Sequence, residues 1–183
     1  LDPHETYNGD NLDYAYLAAE SLYTADLTHP TNAIVPLLAA EMPVWSSDLL
    51  TMTIALRDNV YFHDGTQFDA DAVKWNIDRI EAIYEAGQGQ WSSALLNDTT
   101  TGVNGTFRIS DVTVVDDFTV NITINKLFVP MTAVLGFMGF CFLSPTAHAD
   151  VATQIFDPTY DTLVGTGPFV YGGKDGEEIS WTA

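Results

Sequence analysis

From Leu50 to Arg57 the chain alternates without a break: Leu50, Met52, Ile54 and Leu56 point one way, and Thr51, Thr53, Ala55 and Arg57 the other. Period two belongs to a strand with one buried and one wet face, so at least one sheet must have a cover for its apolar side. The cover follows in the sequence. A short strand, Val60 to Phe62, leads into the turn His63-Asp64-Gly65-Thr66, and Asp69 then stands where its carboxylate can accept from the free amides of a helix's first turn. Asp71 adds negative charge at the positive end of that helix, and Val73, Ile77, Ile80 and Tyr84 recur at helical spacing. Gly87 and Gly89 close it.

The same period of two returns in Ile109 to Asn125, which reads as a hairpin turning at Asp116-Asp117. An earlier helix is expected over residues 12 to 23 from Leu12, Ala15, Tyr16, Ala19 and Leu22, ending in the turn-rich Thr24 to Pro30. Asn97 to Gly102 reads as a surface loop. The uncharged stretch Leu127 to Ala149 is long enough to raise a membrane span. Pro130, Gly136, Gly139 and Pro145 divide it into a helix-like Met131 to Phe137 and a strand-like Phe140 to Ser144, which favours buried core.

With 183 residues and 46% apolar side chains the chain can bury a sizeable core. Its 25 Asp and Glu against 6 Lys and Arg leave a formal charge of −19, which repels phosphate backbones and excludes nucleic acid as a partner. Such a charge suits cationic ligands or high salt, but a solvated acidic surface explains it as well. Cys141, the only cysteine, sits in the apolar run Phe140-Cys141-Phe142-Leu143 and reads as core. Three glycosylation patterns begin at Asn97, Asn104 and Asn121, where nine Asn give about 1.4 by chance, a mild hint of an extracytoplasmic surface.

Chemical motifs are few. His63 and Asp64 form an adjacent pair, but His4, His29, His63 and His148 are never three or four apart on one helix, so they read as turn and surface residues and no metal or other cofactor is expected. Carboxylates are abundant, yet none is singled out as a hydrolytic pair. Gly165-Thr166-Gly167-Pro168 lacks the Lys and the helix start of a phosphate cradle and reads as a rigid turn. Nothing here predicts an enzyme.

Several segments, taken in order, resemble the extracellular solute-binding proteins of the oligopeptide, dipeptide and nickel ABC importers. They are Leu1-Asp2-Pro3-His4, Glu20-Ser21-Leu22-Tyr23, the long block from Thr53 to Trp75, Val114 to Val120, Leu143-Ser144-Pro145 and Val164 to Phe169. Departures are small: Asn59 stands for the usual Gly, Asp69 for Thr, Ala72 for an acidic residue and Phe169 for Tyr. The resemblance implies a mixed α/β fold, a periplasmic-binding-protein-like type II lobe with an inserted small domain and without the second lobe. Residues 1–23 and 143–183 would belong to the main lobe, and 24–142 to the small side domain.

It further implies capture of a peptide or similar small solute outside the cytoplasm, in the periplasm or on the outer face of the membrane, and delivery to an ABC permease, with the choice among peptide, nickel chelate and oligosaccharide left open. Tyr7, Asn8 and Gly9 would lie at the cleft rim, and Trp91 would set an aromatic against the ligand, although packing of the small domain explains Trp91 equally well. A sensory or interaction module that reuses the lobe without transport is the alternative.

Overall fold

In a computed structural model of the chain, the described residues are 2–4, 9–28, 30–87, 95–98, 105–148, 162–176 and 178–183. Helix α1 (Gly9–Ala18) leads into β1 (Tyr23–Ala25), which pairs antiparallel with β2 (Ile34–Pro36). Strands β3 (Val44–Trp45), β4 (Thr51–Ala55), β7 (Ile109–Asp116) and β8 (Thr119–Ile124) form an antiparallel sheet in the order β3-β4-β8-β7. Between β4 and β7 come helix α2 (Ala70–Glu85) and the two-residue pair β5 (Asn97–Asp98) and β6 (Thr106–Phe107). A short helix α3 (Met131–Val134), a 3-10 turn at Met138–Phe140 and a final hairpin, β9 (Val170–Asp175) with β10 (Glu178–Thr182), complete the order.

Alternation in β4 and β8 does what a period of two requires. Met52, Ile54, Val120 and Ile122 are fully buried on one face. On the other, the Oγ1 atoms of Thr51 and Thr123 lie 3.1 Å apart, and Thr53 Oγ1 donates to Asn121 Oδ1 at 2.8 Å. Helix α2 lies along the apolar face against β7 and β8. It is started by Asp69, whose side chain accepts from the Ala72 amide at 2.8 Å, and Val73, Ile77, Ile80 and Ile83 bury its stripe. Gly87 ends the described part at φ +73, a left-handed conformation that favours glycine.

Two apolar clusters result. The larger joins sheet, α2, α3 and Phe142; the smaller gathers Ala15, Ala18, Ala19, Met138, Cys141, Leu143 and Leu163, with Tyr171 and Trp181 against it. Cys141 is completely buried, and burial pushes its thiol up, so it is core as expected. Within Leu127 to Ala149, α3 and the following residues are largely buried, and among the described residues no helix is long and apolar enough to cross a membrane.

Four expectations need correction. The first helix covers Gly9–Ala18, not residues 12 to 23, and the expected turn begins as strand β1. Its last carbonyls are taken by a distant loop: Gly167 N donates to Ala18 O and Phe169 N to Leu17 O, both at 2.9 Å. Val60 to Phe62 makes an isolated bridge, Tyr61 to Gln67, because Phe62 N turns back to Thr66 O. Residues 141–144 are extended but join no sheet: Phe142 N bonds Glu20 O and Ser144 N bonds Val164 O, each in a connecting segment. Asn97 and Asp98 pair as β5, with Asp98 buried, and only the remainder of that expected loop lies outside the described residues.

The acidic excess finds little internal compensation. Between described residues there are two ion pairs, Lys74–Asp78 and Arg79–Asp2, while Arg57 and Arg108 donate to backbone carbonyls at Leu37 and Asn97. Carboxylates therefore repel across the surface, and added salt relieves this as the Debye length falls from about 30 Å at 0.01 M to about 3 Å at 1 M. The thermal midpoint is expected to climb steadily with sodium chloride over that range. A flat profile in a salt series would show that the carboxylates lie too far apart to strain the fold.

Candidate functional site

Helix α2 carries more than an apolar stripe. Asn76 and Arg79, three residues apart, occupy positions where the helical period demands burial, and both are 1% exposed or less. Asn76 satisfies itself fully: Nδ2 donates to Ala72 O at 2.9 Å and Leu143 O at 2.8 Å, and Oδ1 accepts from Leu143 N at 3.0 Å. The carboxamide thus stands in for a neighbouring strand and holds the Leu143 peptide to the helix.

Arg79 makes the second tie. Its guanidinium grips the Asp2 carboxylate with both terminal nitrogens, Nη1 to Oδ1 at 3.2 Å and Nη2 to Oδ2. Nη1 also lies 2.7 Å from His4 Nδ1. An arginine only donates, so Nδ1 is an acceptor and carries no proton. His4 Nε2 must then hold the ring proton and donate it to Cys141 O at 2.7 Å. Burial first, and Arg79 second, bring the His4 pKa down to about 4. For Asp2, burial opposes ionisation, but the charge and hydrogen bonds of Arg79 outweigh it and hold the carboxyl at about 2.

His148 behaves alike: it is 1% exposed, its Nε2 accepts from Val164 N at 3.2 Å, and burial followed by Arg79 lowers its pKa to about 4. His4 and His148 are therefore not the surface residues expected; each is a neutral ring in the interior. His63 and Asp64 do hold a turn. Thr66 N and Oγ1 donate to Asp64 Oδ1 at 3.0 and 2.6 Å, Ser144 Oγ donates to Oδ2, and His63 Nε2 meets Gly167 O at 2.8 Å. Burial acts to raise the Asp64 pKa, yet the donated hydrogen bonds prevail and lower it.

The Gly165-Thr166-Gly167-Pro168 segment is a docking turn. A Cβ on Gly165 would stand 2.7 Å from Ala19 Cα, and one on Gly167 would stand 2.6 Å from the Ala18 carbonyl carbon. These neighbours are backbone and cannot swing aside, so glycine is needed for close approach to the end of α1. Thr166 Oγ1 reaches Glu20 at 2.9 Å.

Of the residues expected at the ligand, Tyr7, Asn8 and Trp91 lie outside the described residues, as does His29; Gly9 is the first residue of α1. A groove of about 720 Å³ opens at the C-terminal end of α2, lined by Glu81, Tyr84, Glu85, Asn97 and Phe107 and bounded by Gly87, just before the segment that holds Trp91. Burial and then Glu85 and Asp78 raise the Glu81 pKa. Among the described residues no group of three or more His, Cys, Asp or Glu is placed to hold a metal.

The family model described as bacterial extracellular solute-binding proteins, family 5 Middle, matches residues 33–183. The chain belongs to that family. The glutathione-binding protein GsiB of Salmonella paratyphi A is 32% identical over 170 residues, and that of Pectobacterium atrosepticum 36% over 171; each alignment covers 92% of this chain and 29% of the relative. The chain thus spans about three tenths of the length of the curated relatives it matches. NikA from Brucella suis, solved in complex with Fe(III)-EDTA, superposes with a TM-score of 0.76 at 25% identity, covering 99% of this chain and 32% of that one.

A dipeptide-binding protein from a Pseudoalteromonas species, solved with Met-Leu, gives 0.78 at 20% identity over 98% and 36%. The mixed α/β architecture is accordingly that of the periplasmic binding proteins of family 5. In this family member the polar ties of α2 were missed from the sequence, although Asn76 and Arg79 interrupt an otherwise apolar helical period. That interruption was the available signal.

Two measurements test these contacts. Gly167→Ala is expected to cost about 1–3 kcal/mol, the usual penalty of overpacking, seen as a lower urea midpoint with an unchanged slope; an unaltered midpoint would mean that the turn does not press on α1. Histidines held below their unfolded value of 6.5 bind protons more readily in the unfolded chain, so their contribution is whole above pH 6.5 and is lost as pH falls towards about 4. Asp2 adds a loss between about 3.8 and 2. Urea midpoints should decline from pH 6.5 to 4, and His4→Gln should flatten the decline; an equal decline in the variant would exclude His4 as its source.

Proposed function

We propose that this chain is part of one lobe of the substrate-binding component of an ABC importer, which captures a peptide or similar small solute outside the cytoplasm and presents it to a membrane permease. The observation that carries the reading is the family match over residues 33–183 together with relatives at 32–36% identity named for glutathione binding. Glutathione is itself a small peptide, and that chemistry makes a short peptide the first candidate.

In this reading residues 1–23 and 143–183 belong to the main lobe and 24–142 to a small side domain. The smaller apolar cluster draws mainly on residues given to the main lobe, in α1, Leu143, Leu163 and the final hairpin, while Met138 and Cys141 join it from 24–142 and Leu22 and Tyr23 pack into the larger cluster. Tyr7, Asn8 and Gly9 serve as main-chain contacts to an extended ligand, and Trp91 offers an aromatic face. The first-turn amides of α1, beginning at Gly9, have no acceptor within the helix and suit a peptide carboxylate. Closure of a second lobe would exclude water from the bound solute, and the closed shape would be what the permease recognises. The chemistry is binding and release, without turnover.

The test uses the full-length protein. Thermal shift against glutathione, Met-Leu dipeptide and nickel–histidine should show stabilisation by at least one of them, about 2.7 kcal/mol when the ligand reaches a hundred times its Kd. Stabilisation by none, or turnover of a peptide or glycoside abolished by one Asp or Glu substitution, would overturn the reading.

A further inference from the structure

Of the three glycosylation patterns, Asn121-Ile122-Thr123 lies within β8, with its Asn and its Thr both described; Thr99 of the first pattern and Asn104 of the second lie outside the described residues. The period of two sends Asn121 and Thr123 to the wet face of the sheet and Ile122, fully buried, to the core. Across the four strands the Asn121 row runs Val44, Thr53, Asn121, Thr113. The three residues that share the row with Asn121 are exposed, Val44 at 63%.

The two ends of the Asn121 carboxamide differ. Oδ1 is held, accepting from Thr53 Oγ1 at 2.8 Å. Nδ2 has no partner among the described residues and yet is not shut into the interior, so it meets solvent. Asn97 is more confined: a Cβ on Gly105 would stand 1.5 Å from its Oδ1, which also accepts from Tyr84 OH at 3.2 Å. From this geometry we propose that Asn121 is a site of N-linked glycosylation. Its free nitrogen is the atom that such a modification uses, and the Thr123 hydroxyl, which the acceptor pattern requires, lies on the same face, 3.1 Å from that of Thr51.

The transfer forms one bond, from Asn121 Nδ2 to the anomeric carbon of the first sugar, and breaks the bond from that carbon to a phosphate oxygen of a lipid-linked oligosaccharide. The amide gives up a proton, and the lipid phosphate leaves with the electron pair of the broken bond. Because β8 is hydrogen-bonded on both sides, to β4 and β7, the folded strand cannot be lifted out to an enzyme without breaking the sheet. Transfer therefore precedes folding, and the finished sheet keeps the sugar on its wet face. The inference rests on the reading that this chain works outside the cytoplasm.

Trypsin makes the test site-specific. Cleavage after Arg108 and Lys126 releases Asn121 in the peptide Ile109–Lys126, while Asn97 and Asn104 leave together in Ile80–Arg108. The full-length protein is recovered from the cells that naturally make it, as wild type, Thr123→Val and Thr123→Ser, and its peptides are weighed by mass spectrometry. The wild-type Ile109–Lys126 peptide is expected to carry the added mass of an oligosaccharide, with fragments that place it on Asn121. Thr123→Val, which keeps a β-branched side chain but no hydroxyl, loses that mass, and Thr123→Ser retains it. A bare peptide in the wild type, whether or not Ile80–Arg108 is modified, would overturn the proposal, as would an added mass that persists in Thr123→Val. Fractionation of the same cells tells the two readings apart: a bare peptide from protein found outside the cytoplasm overturns the glycosylation alone, and protein found inside overturns the extracytoplasmic reading and the glycosylation with it.

Discussion

A buried guanidinium dictates much of this structure. Arg79 sits in the middle of α2 at 1% exposure, where an unmatched charge would cost several kcal/mol. The fold meets it with the Asp2 carboxylate and a histidine forced into its neutral form. Each partner recruits more of the chain. His4 donates a hydrogen bond from Nε2–H to Cys141 O, and Asn76, one turn earlier than Arg79 on α2, fixes Leu143. The segment 141–144 needs no sheet, because α2 and the loops at Glu20 and Val164 supply its hydrogen bonds.

A second constraint is steric. The end of α1 is closed by amides from a loop nearly 150 residues later in the chain, and only a backbone without Cβ atoms can come that close. The turn at His63 and Asp64 then locks onto the same loop through Gly165 O and Gly167 O and onto Ser144. Strand-turn-helix block, α1 and the glycine turn thus meet at one place, and this junction orients α1 relative to the sheet.

Charge is distributed to match. All three arginines serve the chain's own groups: Arg79 in the interior, Arg57 on Leu37 O, and Arg108 on Asn97 O with its guanidinium 4.1 Å from the Phe128 ring centroid. Little positive charge is left for the surface, which consequently repels itself and depends on solvent ions for relief.

The sequence by itself determined the sheet, its helical cover and the hairpin, because side-chain period and cap chemistry act over a few residues: Met52 and Ile54 inward, Asp69 at the helix start, Val112 against Ile122. It also carried the family, through the long block from Thr53 to Trp75. Tertiary structure alone decided where α1 stops, since its final carbonyls wait on Gly167 and Phe169. It likewise decided that His4 and His148 are buried and neutral, a state set first by burial and second by Arg79, which reaches them from another part of the chain. Local pattern fixes what a residue prefers; the burial of a charge is settled only when the groups that can satisfy it arrive from elsewhere in the chain.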